Sequence, residues 1–394
     1  MKASNFYLDK HLAQTTPYNM GIEVSHADGI YIYDVSGKRY TDLISGLGVS
    51  ALGHNNPSVN EALKAQIDKY LHVMVYGEFI QKPQLELGKL LTSTLPKPLD
   101  TCYFVNSGTE ANEAALKLAK RVTGRKKIIS FVGAYHGSTH GSLSVSSNEK
   151  KKYAFRPLLP QIDFIRLNEM EDLERIDEDC ACVILETIQG DAGIRIPTLA
   201  FLESLRTRCN ETGTVLIFDE IQAGLGRSGT LWAFDYYGVV PDILTLGKAL
   251  GGGLPIGALV SSKEKMAQFT FDPVLGHITT FGGHPLVCTA AHAGLKYLLE
   301  KDLVEGVNEK GKLLHDLLIG HSLVREIRYR GLFFAIEMES AEVVQKIVEG
   351  CLEAGLVTFW FLSSPNAFRL APPLTISEEE IRESVRTMLE VFDR

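Results

Sequence analysis

The sequence predicts an α/β protein built on a mainly parallel sheet buried on both faces, with a smaller α+β unit contributed by the two ends of the chain. Three observations carry that expectation. Short apolar runs alternate with amphipathic helical stretches through the middle of the chain, at the spacing of β-α-β units. Those runs are nearly continuous in apolar residues, as strands covered on both faces are. Beyond about residue 290 the texture changes to the long helical stretch HAGLKYLLEKDLVEGVNEKGKLLHDLL and one short strand-like run, LFFAIEM.

In chain order, IYIYDVSGKRYTDL (30–43) alternates Tyr and Ile around the turn SGK and predicts two short strands. SVNEALKAQIDKYL (58–71) and PQLELGKLLTSTL (83–95) carry helical periodicity. TCYFVN (101–106) leads into ANEAALKLAKRVTG, where Ala111, Ala115, Leu118 and Val122 mark a buried face and Gly124 the helix end. KKIISFVG (126–133), CACVILE (180–186), VLIFDEI (215–221) and PDILTL (241–246) follow as strands, with the helix AFLESLRTRCNETG between the second and third of these. The expected organisation is a large α/β domain over 50–290, with 1–49 and 291–394 forming the smaller unit.

The net charge of −8, with no basic run longer than the RKK at 125–127, argues against nucleic acid or a membrane surface as partner. No stretch offers 18 consecutive apolar residues. MKASNFYLDKHLAQTTPYNM lacks the continuous apolar run of a secretory signal. The six cysteines (102, 180, 182, 209, 288 and 351) match no zinc or redox spacing, so reduced thiols in the cytoplasm are expected. Small molecules are then the default ligands.

Ligands of an open parallel sheet bind where its strands end. GLGRSG (224–229) matches G-x-G-x-x-G, but Gln222 and Ala223 separate it from the strand, and the aromatic TLWAFDYYGVVPD follows in place of a helix. The weight therefore falls on Asp219, a carboxylate closing an apolar strand, which needs either a partner or a task. The next strand runs into Lys248, a lone lysine followed by Ala-Leu-Gly-Gly-Gly, placed like a Schiff-base lysine. An anionic Asp and a lysine on adjacent strand ends suit pyridoxal 5′-phosphate (PLP): the Asp holds the pyridine nitrogen protonated and the Lys forms the imine. A phosphate cup is available where Ser107, Gly108 and Thr109 turn from strand into helix and leave backbone N–H groups free.

With these residues in view, the chain resembles the class III PLP-dependent aminotransferases of fold type I. The resemblance runs through DVSGKRYTDLISGLGVSALGHNNP, NSGTEANEAALKLA, GAYHGST, ETIQGDAGI, FDEIQAGLGRSG, PDILTLGKALGGGLPIGA, TTFGGHP and FRLAPPLTI. It implies a seven-stranded, mainly parallel sheet and a homodimer with shared active sites. It implies that Lys248 tethers the cofactor and shuttles the proton, that Asp219 pairs with the pyridinium, and that Gln222 reaches the phenolic oxygen. Gly108 and Thr109 would hold the phosphate, Tyr135 would stack on the ring, and Thr280 would reach the phosphate of the neighbouring subunit, with Thr279 beside it near substrate. Arg369 would bind a substrate carboxylate by paired hydrogen bonds.

Departures from the family pattern bear on the substrate. Ser138 stands where acetylornithine, ornithine and 4-aminobutyrate enzymes carry an Arg, and Leu47 where ornithine enzymes carry a Tyr. The acidic residue that pairs with the carboxylate-binding Arg is the shorter Asp191. A less cationic pocket favours an ω-amino acid or diamine-type donor, with a keto acid acceptor such as 2-oxoglutarate, in a ping-pong reaction. Acetylornithine or ornithine transamination is the alternative within the family; an aminomutase or decarboxylase is the alternative within the fold.

Overall fold

The structure, a computed structural model, describes residues 11–16 and 19–394. Residues 1–10, 17 and 18, which belong to the stretch inspected for a signal and to the expected N-terminal part of the smaller unit, lie outside the described residues. Three strands open the chain: β1 (Val24–Asp28), β2 (Tyr31–Asp34) and β3 (Arg39–Asp42). β2 and β3 pair antiparallel around the SGK turn, with Tyr31 opposite Thr41.

Seven strands build the central sheet: β4 (Thr101–Val105), β5 (Lys127–Phe131), β6 (Ile162–Ile165), β7 (Cys180–Glu186), β8 (Val215–Asp219), β9 (Ile243–Leu246) and β10 (Gly257–Ser261). Their order is β4-β10-β9-β8-β7-β5-β6, and β10 alone runs against the rest. Every residue of β7 to β10 is buried, which explains their unbroken apolar sequences. The pleat sends alternate side chains to the two faces. Cys182, Ile184, Val215 and Ile217 pack with Ala114, Ala115 and Leu118 of the Gly108–Thr123 helix. Val183, Leu185, Leu216 and Phe218 join Phe201, Leu202 and Leu205 of the Leu199–Thr212 helix in the larger core. Val122 does not belong to the buried face assigned to it: it is exposed in the last turn of its helix, just before left-handed Gly124 turns the chain away.

The long C-terminal helical stretch is two helices, Pro285–Glu300 and Val307–Leu318, parted where Gly306 takes a φ of 79°. Beyond them lie β11 (Glu326–Arg330), β12 (Phe333–Glu337), β13 (Leu356–Val357), β14 (Phe359–Trp360) and β15 (Ala367–Leu370). Four of these form an antiparallel sheet in the order β11-β12-β15-β14, while β13 pairs parallel with β3. Thr41 N–H donates to Gly355 O at 2.8 Å and Leu43 N–H to Val357 O at 3.0 Å, so segments from the two ends of the chain share one sheet.

GLGRSG is a joint between these layers. Leu225, Gly226 and Gly229 are left-handed, and only a single 3₁₀ turn, Ala233–Tyr236, follows. Buried Arg227 donates to Leu332 O at 2.9 Å and Pro372 O at 2.6 Å, and Leu332 N–H returns a bond to Arg227 O. A Cβ on Gly331 would lie 2.6 Å from Gly229 N, so the backbones meet there only because residue 331 is glycine. No helix among the described residues is long and apolar enough to cross a membrane.

Candidate active site

Glu186, Asp219 and Thr245 stand side by side in register at the ends of β7, β8 and β9. A cleft opens beyond that row. It is lined by Gly108 and Thr109 after β4, Tyr135 to Ser138 after β5, Glu186 and Ile188 after β7, Gln222 after β8, and Lys248 after β9. Five strand ends thus deliver their following loops to one place, the carboxyl edge that a parallel sheet offers to ligands.

Asp219 is buried but fully engaged. Its Oδ2 accepts from Asn112 Nδ2 at 2.8 Å and meets His136 Nδ1 at 2.8 Å; its Oδ1 accepts from Ile221 N–H at 3.0 Å. Asn112 is fixed in turn, accepting from Thr245 Oγ1 at 2.8 Å and donating to His136 O at 2.7 Å. The contact with Oδ2 places the imidazole proton on Nδ1, and buried Nε2 has no hydrogen-bond partner among the described residues.

Lys248 follows β9 by two residues and adopts a φ of 44°, a left-handed conformation that costs a side-chain-bearing residue on the order of 1–3 kcal/mol. Its amine forms no hydrogen bond or ion pair among the described residues, although part of the residue stays open to the cleft. Burial lowers its pKa, against the opposing pull of Asp219 and Glu186. A lowered pKa favours the neutral, nucleophilic amine.

The helix Gly108–Thr123 starts at the cleft wall. Ser107 is spent on capping it, its Oγ accepting from Glu110 N–H at 3.3 Å. A Cβ on Gly108 would lie 2.7 Å from Ile221, so the helix start presses against the loop carrying Asp219 only as glycine. Thr109 Oγ1 lies 2.9 Å from Thr139 Oγ1 and 2.5 Å from Ser142 Oγ. An uncommitted lysine amine, a fixed carboxylate opposite it, a helix N-terminus and an exposed aromatic ring (Tyr135) fit PLP.

The substrate candidates divide. Arg369 on β15 is buried, its guanidinium 4.3 Å from the Phe361 ring centre, and its Nη2 lies 3.3 Å from Asp191 Oδ1. The shorter acid therefore does reach the arginine. Leu47 sits in the left-handed turn Ser45–Gly48, which Asp42 anchors by accepting from Ile44 N–H and Ser45 N–H. A Cβ on Gly48 would lie 3.7 Å from Gln222 and 3.9 Å from Lys248, so this turn borders the site. Ser138 is exposed in the cleft, 3.3 Å from Tyr135 OH. Thr279 lines a different groove with Gln84 and Tyr103, and Thr280 is exposed; neither lies in the cleft of Lys248.

Four residues near the site were not singled out from sequence: Asn112, His136, Lys151 and Glu186. Burial pushes Glu186 up to about 7 while it accepts from Tyr135 N–H at 2.9 Å and Gly190 N–H at 3.1 Å. A signal existed for Glu186, which closes CACVILE as Asp219 closes its own strand, and for Asn112, a polar residue on an otherwise alanine-lined helix face.

Comparison with known proteins agrees with this geometry. The family model for aminotransferase class-III matches residues 13–392. An acetylornithine aminotransferase of Methanopyrus kandleri is 39% identical over 93% of this chain and 92% of its own. A [LysW]-aminoadipate semialdehyde/glutamate semialdehyde transaminase of Sulfolobus acidocaldarius is 36% identical over 94% of each chain. Among solved structures, the ornithine aminotransferase of Toxoplasma gondii, with PLP at its active site, superposes with a TM-score of 0.91 at 28% identity, covering 98% of this chain and 93% of that one. The chain belongs to the class-III aminotransferases, transaminases of fold type I with pyridoxal 5′-phosphate as cofactor.

Proposed function

We propose that this aminotransferase moves the amino group of an ω-amino acid or diamine-type primary amine to 2-oxoglutarate, in two half-reactions that share one site. The observation that carries the reading is the pairing of Lys248, an amine without partners, with Asp219, a carboxylate held on the adjacent strand end. Bound PLP supplies an electron sink for the substrate carbon and stores the amino group between half-reactions. Lys248 Nζ would hold the cofactor and, as a neutral amine, would serve as the base and acid that moves the proton of the amine-bearing carbon. Asp219 would keep the ring nitrogen protonated, the Gly108–Thr109 turn would hold the phosphate, and Arg369 would bind a substrate carboxylate.

Ser138 places a hydroxyl in the cleft wall, which favours donors whose far end is neutral or cationic. Acetylornithine or ornithine is the second reading, favoured by the names of the relatives. Thr280, exposed and outside its own chain's cleft, is free to reach the phosphate of a second copy, which supports a homodimer. Six free cysteines, five of them buried, suit the reducing cytoplasm. The pairing of β3 with β13 supports residues 1–49 and 291–394 as one unit beside a cofactor-binding domain of 50–290.

Mixing the PLP-loaded protein with putrescine, lysine, 4-aminobutyrate, β-alanine, ornithine and acetylornithine, and following the cofactor's visible band, tests the donor. Fastest conversion is expected with a diamine or ω-amino acid; fastest conversion by acetylornithine overturns the reading of Ser138. Lys248→Ala is expected to bind PLP without turnover, and normal turnover by that variant overturns the reaction itself.

A further inference from the structure

We propose that Lys151 is a second carboxylate-binding cation of this active site, masked by Asp191, and that it takes the distal carboxylate of a keto diacid whose other carboxylate goes to Arg369. The inference rests on the transaminase reading above and names the acceptor's recognition group.

Two neighbouring lysines show why Lys151 is not an ordinary structural cation. Lys152 Nζ is satisfied by Ser144 O at 3.0 Å and Ser146 O at 2.9 Å, which ties its loop together. Lys151 is less buried, its side chain 31% exposed, yet its Nζ is covered and has no hydrogen-bond partner among the described residues. An ammonium carries three donors, and leaving them unused in a buried position is unfavourable. Its neighbours lead to the active site: Asp191 Oδ2 lies at 3.5 Å, and the ring of Tyr135, which lines the cleft of Lys248, at 5.3 Å.

Asp191 is the shared partner of both cations. Its Oδ1 meets Arg369 Nη2 at 3.3 Å and Leu362 N–H at 3.2 Å; its Oδ2 accepts from Ser363 Oγ at 2.7 Å and faces Lys151. One carboxylate is shared between an arginine and a lysine, and the further acid that acts on Arg369, Glu186, is itself pushed up to about 7 by burial, so negative charge is short on this side of the site. Unused donors remain on both cations, because Arg369 Nε is also buried without a partner. A diacid offers what is missing, namely one carboxylate for the open edge of the guanidinium and one for the ammonium. The two oxygens of Asp191 that face the cations are also the ones that accept from Leu362 N–H and Ser363 Oγ, so its displacement by a diacid loosens those bonds as well. With a cationic or neutral donor, Asp191 remains in place and neutralises Lys151; with a diacid, it is displaced.

The test is calorimetric titration of the PLP-loaded protein with glutarate, an unreactive diacid, and butyrate, its monoacid counterpart. It is paired with single-turnover discharge of the amine-loaded form by 2-oxoglutarate and by pyruvate. Lys151→Gln is expected to weaken glutarate about 10- to 100-fold and to leave butyrate within about 3-fold. The 2-oxoglutarate step should show the loss in its half-saturation rather than its limiting rate, with pyruvate unaffected. Lys151→Arg should restore most of the glutarate affinity. A parallel loss of glutarate and butyrate in Lys151→Gln overturns the proposal, as does no loss in either, or a wild type that binds both equally. If no amine charges the cofactor, it is the transaminase reading that fails. The glutarate preference is read without turnover, so the two failures are told apart.

Discussion

Asp219 and Asp191 are equally withdrawn from solvent, at 5% and 7% exposure, yet they are held in opposite ways. Asp219 ends a fully buried strand, and an amide, an imidazole and a backbone N–H fix it at 2.8 to 3.0 Å. Asp191 lies in the loop beyond β7, with a hydroxyl at 2.7 Å, a backbone N–H at 3.2 Å and two cations at 3.3 and 3.5 Å. The difference is therefore one of partners and scaffold rather than of burial. The first carboxylate is built for one permanent occupant, as a preorganised site on rigid elements should be. The second is built for exchange, because long ion pairs in a loop are replaced by a competing carboxylate more readily than short bonds on a strand.

Substitutions at the two carboxylates therefore differ in kind as well as in size. Asp219→Asn removes the fixed charge opposite the ring and is expected to slow both half-reactions on the order of 10²- to 10³-fold, by the same factor. Separate single-turnover measurements with donor and with acceptor check this; slowing of one half-reaction alone would break the comparison. Asn112→Ala leaves the charge but strips its orienting amide and the partner of Thr245 Oγ1. A stability loss of about 1–3 kcal/mol in thermal unfolding, with weaker PLP binding, is expected from these lost buried bonds. Asp191→Asn should act in the other direction. Unmasking both cations is expected to tighten glutarate by up to about 10-fold and to weaken cationic donors, read by titration and by donor half-saturation. An Asp191→Asn enzyme that binds glutarate no better would make Asp191 a permanently held group like Asp219.

The two ends also differed in how far the sequence revealed them. CACVILE and VLIFDEI are legible because strands buried on both faces need only apolar residues, and their terminal acids stand out against that background. IDFI (β6) was not seen, because Asp163 interrupts it, nor was GALVS (β10), whose glycine start resembles the loop before it. Lys248 and Asp219 were reachable because each follows its own strand. Asn112 and His136 were not, because their chemistry arises from contacts 107 and 83 residues away along the chain. Lys151 is the extreme case. Within NEKKKYAF nothing distinguishes it from Lys150 or Lys152, and only the fold assigns one lysine to carbonyls and its neighbour to the active-site acid.

A smaller effect concerns two acids that belong to neither group of partners. Glu186, at the end of β7, and Glu220, accepting from Ala233 N–H at 2.8 Å and Phe234 N–H at 2.7 Å, are pushed by burial up to about 7 and about 8. In the unfolded chain both are ionised above their ordinary value of 4.5. Between that value and the raised one, the folded state therefore binds the extra proton. Stability must fall as pH rises through this window, by up to about 1.4 kcal/mol per pH unit for each proton involved, and level off above the raised values. His277 and His284, whose pKa values burial lowers, act with the opposite sign as pH rises toward their ordinary 6.5, and Lys248, lowered likewise, does so toward its ordinary 10.5. The window from 6.5 to 8 excludes the histidines. Within it the two acids contribute a decline to the thermal midpoint of the cofactor-free protein, which comparison of wild type with variant isolates from the lysine. Glu220→Gln, whatever its absolute midpoint, should flatten the upper half of that decline, leaving the part below 7 that Glu186 contributes. Equal slopes in wild type and variant would place the neutral acid elsewhere than Glu220.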